Sequence, residues 1–154
     1  MKTLKISHIR DVEVNGITLQ LPEQLERHEE GYYRYYPSTI VTEFKDPAVS
    51  GVLVVTYPYE IVYSQAEYHE DYELYNFIEG EAVVLLCDLD ENLCTVPGSE
   101  QIVKVEAGVS ILLHPHKGHF APIALGDKAI KYTVVAPKMD GPRVPLSDTF
   151  KGVF

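Results

Sequence analysis

Between residues 52 and 136 the chain repeats one local pattern. Short runs of β-branched and aromatic residues alternate with strong turn signals. The runs are VLVVTY (52–57), EIVYSQAEYH (60–69), LYNFI (74–78), AVVLLCDL (82–89), QIVKVEA (101–107), VSILLH (109–114) and IKYTVVA (130–136). Tyr57-Pro58, Glu79-Gly80, Pro97-Gly98, Ala107-Gly108 and Gly126-Asp127 separate them. Spacing this close leaves no room for crossover helices, so the pattern predicts an antiparallel sandwich or barrel rather than a parallel α/β sheet. One short helix is expected near the N-terminus, in LPEQLERHEEGYY (21–33), with Pro22 near its start and Gly31 as its stop. YYRYY (32–36) is read as an edge strand or a contact with a partner. The tail from Lys138, broken by Pro142 and Pro145, is expected to run extended over the surface or onto a neighbouring subunit.

A length of 154 residues predicts a single domain, 1–154, with a core barrel at about 38–137 and extensions at 1–37 and 138–154. The net charge of −10 argues against nucleic acid or an anionic membrane surface as a partner. The first residues lack a signal-peptide core, and no run reaches the roughly 18 apolar residues of a membrane span. Cys87 and Cys94 form neither a CxxC pair nor a disulfide framework. A cytoplasmic protein is the simplest expectation.

The chemistry centres on AEYHEDYELYNFIEG. Alternation along 62–69 puts Tyr63, Gln65, Glu67 and His69 on one face, which either meets solvent or lines a site. On one straight strand His69 and Glu73 would stand about 13 Å apart at ~3.3 Å per residue. The compact HEDYE segment is read instead as a tight turn that brings them opposite one another. A second histidine group, in GVSILLHPHKGHFAP, holds His114, His116 and His119. His114 and His116 are read as loop histidines, and His119 as the entry to a strand. His69 and Glu73 from one segment with His119 from another form a candidate open site for zinc, iron, nickel or manganese.

These two segments resemble the motifs of the cupin superfamily. The first motif, G(x)5HxH(x)3–4E(x)6G, is matched by His69, Glu73 and Gly80; Glu67 stands at its first histidine, and its opening glycine is absent. The second, G(x)5PxG(x)2H(x)3N, is matched by Gly108 and His119, with His114, His116 and Ile123 replacing Pro, Gly and Asn. The resemblance implies an all-β double-stranded β-helix, a jelly-roll barrel with its site in the mouth. Within that superfamily the chain is similar in look to the ureidoglycolate lyase group, through His69, NFIEGEAVVLL, Gly108 and HFAP. It matches about equally well the small sugar-metabolism proteins related to the evolved β-galactosidase β-subunit.

The resemblance implies a metal-assisted lyase or hydrolase acting on a small ureido or hydroxy acid, with metal on His69, Glu73 and His119. Glu67 is then the fourth ligand or the general base. Gln65 and Tyr63 would orient the substrate, and Lys131 would hold a carboxylate. The alternatives are a sugar or sugar-acid isomerase or epimerase, and a barrel that binds a small ligand without catalysis. The expected partners are a small carboxylate or sugar substrate and a second copy of the chain in a homodimer.

Overall fold

The computed structural model describes residues 1–56 and 59–154; the turn signal Tyr57-Pro58 lies outside the described residues. Six strands close a barrel in the order β1 (Lys2–His8), β13 (Arg143–Val153), β6 (Val62–Glu67), β11 (Gly118–Ala124), β8 (Glu81–Cys87) and β9 (Gln101–Glu106). A five-stranded sheet runs β2 (Ile17–Gln20), β10 (Ser110–Leu113), β7 (Glu73–Glu79), β12 (Ile130–Pro137) and β5 (Ala48–Val55). A separate hairpin pairs β3 (His28–Glu30) with β4 (Tyr33–Tyr35). The expected all-β class is what the chain adopts. No helix among the described residues is long and apolar enough to cross a membrane.

Strand β8 shows why the apolar run Ala82–Cys87 folds as it does. Ala82, Val84 and Leu86 enter a core cluster with Tyr75, Phe77, Ile111 and Tyr132. Val83, Leu85 and Cys87 point the other way, into a second cluster with Ile6, Tyr63, Ile102 and Phe150. A strand buried on both faces needs a continuous apolar run rather than alternation. Each fully buried Val or Leu contributes roughly 1.5–3 kcal/mol of transfer free energy, as an upper figure. Strand β7 alternates instead: Glu73, Tyr75 and Phe77 are buried, while Leu74 and Asn76 are half-buried. At its end Gly80, with φ +85°, turns the chain into β8. A Cβ there would stand 2.6 Å from the Ala129 carbonyl oxygen, so only glycine fits.

The expected N-terminal helix does not form. Pro22–Gln24 makes a single 3-10 turn, in which the Gln24 side chain accepts from the Leu21 N–H at 2.7 Å. Leu25 is already extended. Residues 26–36 are exposed throughout, so a helix there would have no face to bury, and short helices depend on such packing. Gly31, with φ +56°, turns the segment into the β3–β4 hairpin, which takes in most of YYRYY.

The barrel also extends beyond the expected 38–137. The N-terminal β1 pairs with β13 and β9, and the tail supplies β13, paired with β6. The prolines that argued against a strand are accommodated locally. Pro142 immediately precedes β13, and the β13–β6 register shifts between Pro145 and Phe150.

Candidate functional site

The site lies where β6 and β11 of the barrel meet the start of β7 in the facing sheet. Glu67 and His119 are cross-strand partners of β6 and β11. Directly opposed residues on paired strands point to the same face, which brings the two side chains together. His69 follows β6, a bend at residues 70–71 reverses the chain, and Glu73 opens β7. Buried Asp71 holds this bend by accepting from the backbone N–H groups of Tyr72 and Lys45, both at 2.7 Å.

His69 Nε2 lies 3.3 Å from Glu73 Oε2, and His119 Nε2 lies 3.1 Å from the same oxygen. Glu67 Oε1 stands farther off, 3.9 Å from His119 Nε2. Glu67, His69 and His119 offer atoms that all lie within 4.8 Å of one another. Sequence spacing therefore located these four residues together, and the turn at HEDYE is what joins His69 to Glu73.

The other faces of the two imidazoles fix how they point. His69 Nδ1 is 2.8 Å from the Asp140 carbonyl, and His119 Nδ1 is 2.9 Å from the Lys117 carbonyl. A carbonyl only accepts, so each Nδ1 carries a proton and donates it. Both Nε2 atoms are left facing Glu73, and in a neutral ring each is a lone pair. Three acceptors facing one another are tolerable only with a proton or a cation among them. Neither Glu73 Oε2 nor His119 Nε2 makes a hydrogen bond of good geometry, although both are buried. Their separation of 3.1 Å is close to that of two ligands of one ion, since donors about 2.0–2.2 Å from a tetrahedral metal stand roughly 3.3–3.6 Å apart. A backbone carbonyl on the far nitrogen is also the usual orienting partner of a metal-binding histidine. The donor set therefore fits a divalent ion held by His69, His119 and Glu73, with Glu67 adjoining.

Protonation is shifted accordingly. Burial alone would raise the Glu73 carboxyl, but the close approach and positive charge of the His119 and His69 imidazoles bring it from 4.5 to about 2. Burial alone would lower His69, but the Glu73 bond, the Asp140 carbonyl and the charges of Glu73 and Glu67 raise it above 6.5. In metal-free protein the Glu73 contribution to stability is present above about 4.5 and fades as pH falls toward 2. The His69 contribution is full below 6.5 and fades as pH rises through its raised value. The melting temperature of chelator-treated protein is thus expected to gain most from the cluster between about pH 4.5 and 6.5. Added zinc, which needs deprotonated imidazoles, is expected to raise it increasingly above that range. A zinc increment that is largest at acid pH would contradict this assignment of the cluster.

A cavity of about 220 Å³ adjoins the cluster, lined by Val49, Gly51, His69, Glu73, Val134, Ala136, Pro137 and Met139. None of these is Lys or Arg. The 138–142 segment closes over His69: a Cβ on Gly141 would stand 3.0 Å from His69 Cε1 and 3.3 Å from Glu67 Oε2. The buried Tyr75 ring lies 6.2 Å from that of His119. Burial and the charge of Glu73 push its phenol well above the ordinary range, so it stays a neutral donor. Tyr75 was legible from alternation, two residues beyond Glu73 on one face of β7. The 138–142 segment was read only as the start of an extended tail broken by Pro142 and Pro145.

Three expected site residues lie elsewhere. Tyr63 is buried in the apolar cluster of Ile6, Leu85 and Phe150, edge-on to Phe120, because β6 turns that position into the barrel core. Gln65 is half-buried opposite Pro145 of β13. Lys131 points out of the sheet between buried Ile130 and Tyr132 and pairs with Glu79 at 2.8 Å. His114 and His116 are not free loop side chains. His114 bonds to Thr18 Oγ1 at 2.8 Å, and His116, at φ +64°, contacts Glu70 Oε2 at 2.7 Å.

No protein-family model matches the sequence, and no curated protein sequence matches it. Solved structures do. A mutant 3,4-ketoisomerase QdtA from Thermoanaerobacterium thermosaccharolyticum, in complex with TDP-4-keto-6-deoxyglucose, aligns with TM-score 0.51 at 11% identity, over 89% of this chain and 88% of that one. The dTDP-4-dehydrorhamnose 3,5-epimerase from Elizabethkingia anophelis aligns with TM-score 0.53 at 10% identity, over 84% and 73%. The chain has the cupin fold. Oxalate decarboxylase from Bacillus subtilis gives TM-score 0.46 at 16% identity over 64% of this chain, which spans about a quarter of that protein's length (24%). At these identities the likeness is one of fold. The fold is thus shared; the ureidoglycolate lyase activity implied by the resemblance gains no support from these structures.

Proposed function

We propose that the chain is a metal-assisted enzyme that isomerises or epimerises a small hydroxy-carbonyl compound of the sugar or sugar-acid type. One observation carries this reading. Two imidazoles with orientation fixed at Nδ1 converge with Glu73 on one point, and a second carboxylate, Glu67, stands just outside that set. His69, His119 and Glu73 would hold the ion, which when bound polarises a carbonyl or hydroxyl oxygen. Glu67 would then take a proton from the adjacent carbon and return it to the neighbouring carbon on the same face, as an isomerisation requires; an epimerisation would need a second donor, such as water, on the opposite face.

The cavity favours a small substrate. Apolar Val49, Val134, Ala136 and Met139 suit the C–H faces of a short polyol. With no Lys or Arg in the lining, a diphosphate would find no counter-charge there, so an unphosphorylated compound fits better. Fold analogy points the same way, since the structures that share the fold include a 3,4-ketoisomerase and a 3,5-epimerase. The test is deuterium uptake. Protein loaded with manganese, zinc, nickel or iron is incubated in D2O with short hydroxy-ketones, aldoses and sugar acids, and exchange at the carbon beside the carbonyl is read by NMR. Exchange above a chelated control supports the reading. No exchange with any of the panel, from protein shown to carry metal, would sink it.

A further inference from the structure

The chain treats the two edges of the five-stranded sheet differently. Edge strand β2 is four residues long, and the segment after the hairpin covers it: Gln20 Oε1 accepts from Ser38 Oγ at 3.0 Å, Thr39 N at 2.6 Å and Thr39 Oγ1 at 3.0 Å. Edge strand β5 is eight residues long and pairs with β12 at every residue from Ala48 to Val55. Its other side meets no strand among the described residues. Val49, Val52, Leu53 and Val54 are 53%, 64%, 42% and 50% exposed. The strand AVSGVLVV has no charge, no proline and no register shift against β12, so it lacks the usual devices that keep an edge unpaired.

We propose that β5 is the surface through which two copies of this chain associate, edge to edge and antiparallel about a two-fold axis. The two five-stranded sheets would then become one of ten strands. The occupant follows from charge and symmetry. Each chain carries a net charge of −10, so most of its surface repels a second copy, whereas β5 offers eight uncharged residues. An antiparallel strand is also its own complement under a two-fold axis. In the register centred on Gly51, opposed residues point to the same face, and Val49 of one copy meets Leu53 of the other at both ends. Nothing lies within 4 Å of the Cβ position at Gly51, so the centre of the contact is open to a second strand.

Area sets the expected strength. Four half-exposed apolar side chains and one row of backbone groups remove roughly 400 Å² from each copy, at the small end of specific interfaces. The dimer is therefore expected to dissociate on dilution into the micromolar range. Val49 and Gly51 also line the cavity beside His69, so the second copy would brace the outer wall of the candidate site.

Sedimentation of the full chain from about 1 to 200 μM is the test, independent of any activity. Wild type is expected to shift from monomer to dimer with concentration, and Leu53→Lys to stay monomeric, since an inward-pointing lysine on an edge strand opposes pairing. Gly51→Cys in a Cys94→Ser background is expected to form a disulfide-linked dimer on mild oxidation, because directly opposed Cα atoms stand about 4.5–5.5 Å apart. Should Leu53→Lys fail to fold by circular dichroism, the cross-link decides alone. A wild-type monomer at the highest concentration overturns the proposal. So does a dimer that Leu53→Lys leaves intact, or one that Gly51→Cys cannot cross-link.

Discussion

His119→Ala protein is expected to lose the divalent metal that wild type binds at about one equivalent per chain, with an affinity loss well beyond the 10–100-fold typical of a mutated orienting partner. The argument rests on geometry. His119 is fully buried, its Nδ1 is committed to the Lys117 carbonyl, and its Nε2 has no function in the fold except to face Glu73 and Glu67. His69→Ala removes the second Nε2 and is expected to behave alike. His114→Ala is the control, since that ring bonds to Thr18 outside the cluster. The measurement is elemental analysis after loading with zinc, nickel or manganese, with calorimetric titration of each variant. Retained metal in His119→Ala, or no binding by wild type, would remove the ion from the site. The cluster would then be a proton-sharing group.

Much of this arrangement was written locally in the sequence. Strand β8 could be read because six consecutive apolar residues admit few other fates. The His69–Glu73 approach could be read because four residues cannot span a straight strand and still share an ion. Failure came where a residue's role depends on a distant partner. Tyr63 and Glu67 share a face by alternation, yet β13 and β8 surround the first with apolar side chains while β11 brings His119 to the second. Lys131 looked available for a carboxylate only because the outward turn of β12 is set by what Ile130 and Tyr132 bury. The missing helix has the same origin: LPEQLERHEE carries start and stop signals, but propensity without a buried face does not hold so short a helix. The β13 strand stayed hidden because Pro142 and Pro145 read as breakers, and a register shift is a tertiary solution that no local pattern announces.

Glu67 is where the ion and the chemistry can be separated. It occupies the first histidine position of the cupin motif, and its carboxylate stands farther from His119 Nε2 than Glu73 does, 3.9 Å against 3.1 Å. Glu67→Gln keeps the shape and removes the charge. If Glu67 is the base, this variant is expected to keep its metal within about tenfold of wild-type affinity while losing roughly 10²–10⁴ of turnover or carbon–deuterium exchange. If Glu67 is a fourth ligand, metal and activity fall together, and supplying excess metal restores much of the rate. Glu73→Gln gives the contrast: an amide NH2 turned toward the two Nε2 lone pairs can donate to both but binds no ion, and an amide oxygen in its place is a weaker, uncharged ligand. Metal loss is therefore expected in Glu73→Gln and not in Glu67→Gln. The opposite result would exchange the two carboxylates, placing Glu67 on the ion and leaving Glu73, beside Tyr75, as the group that moves the proton.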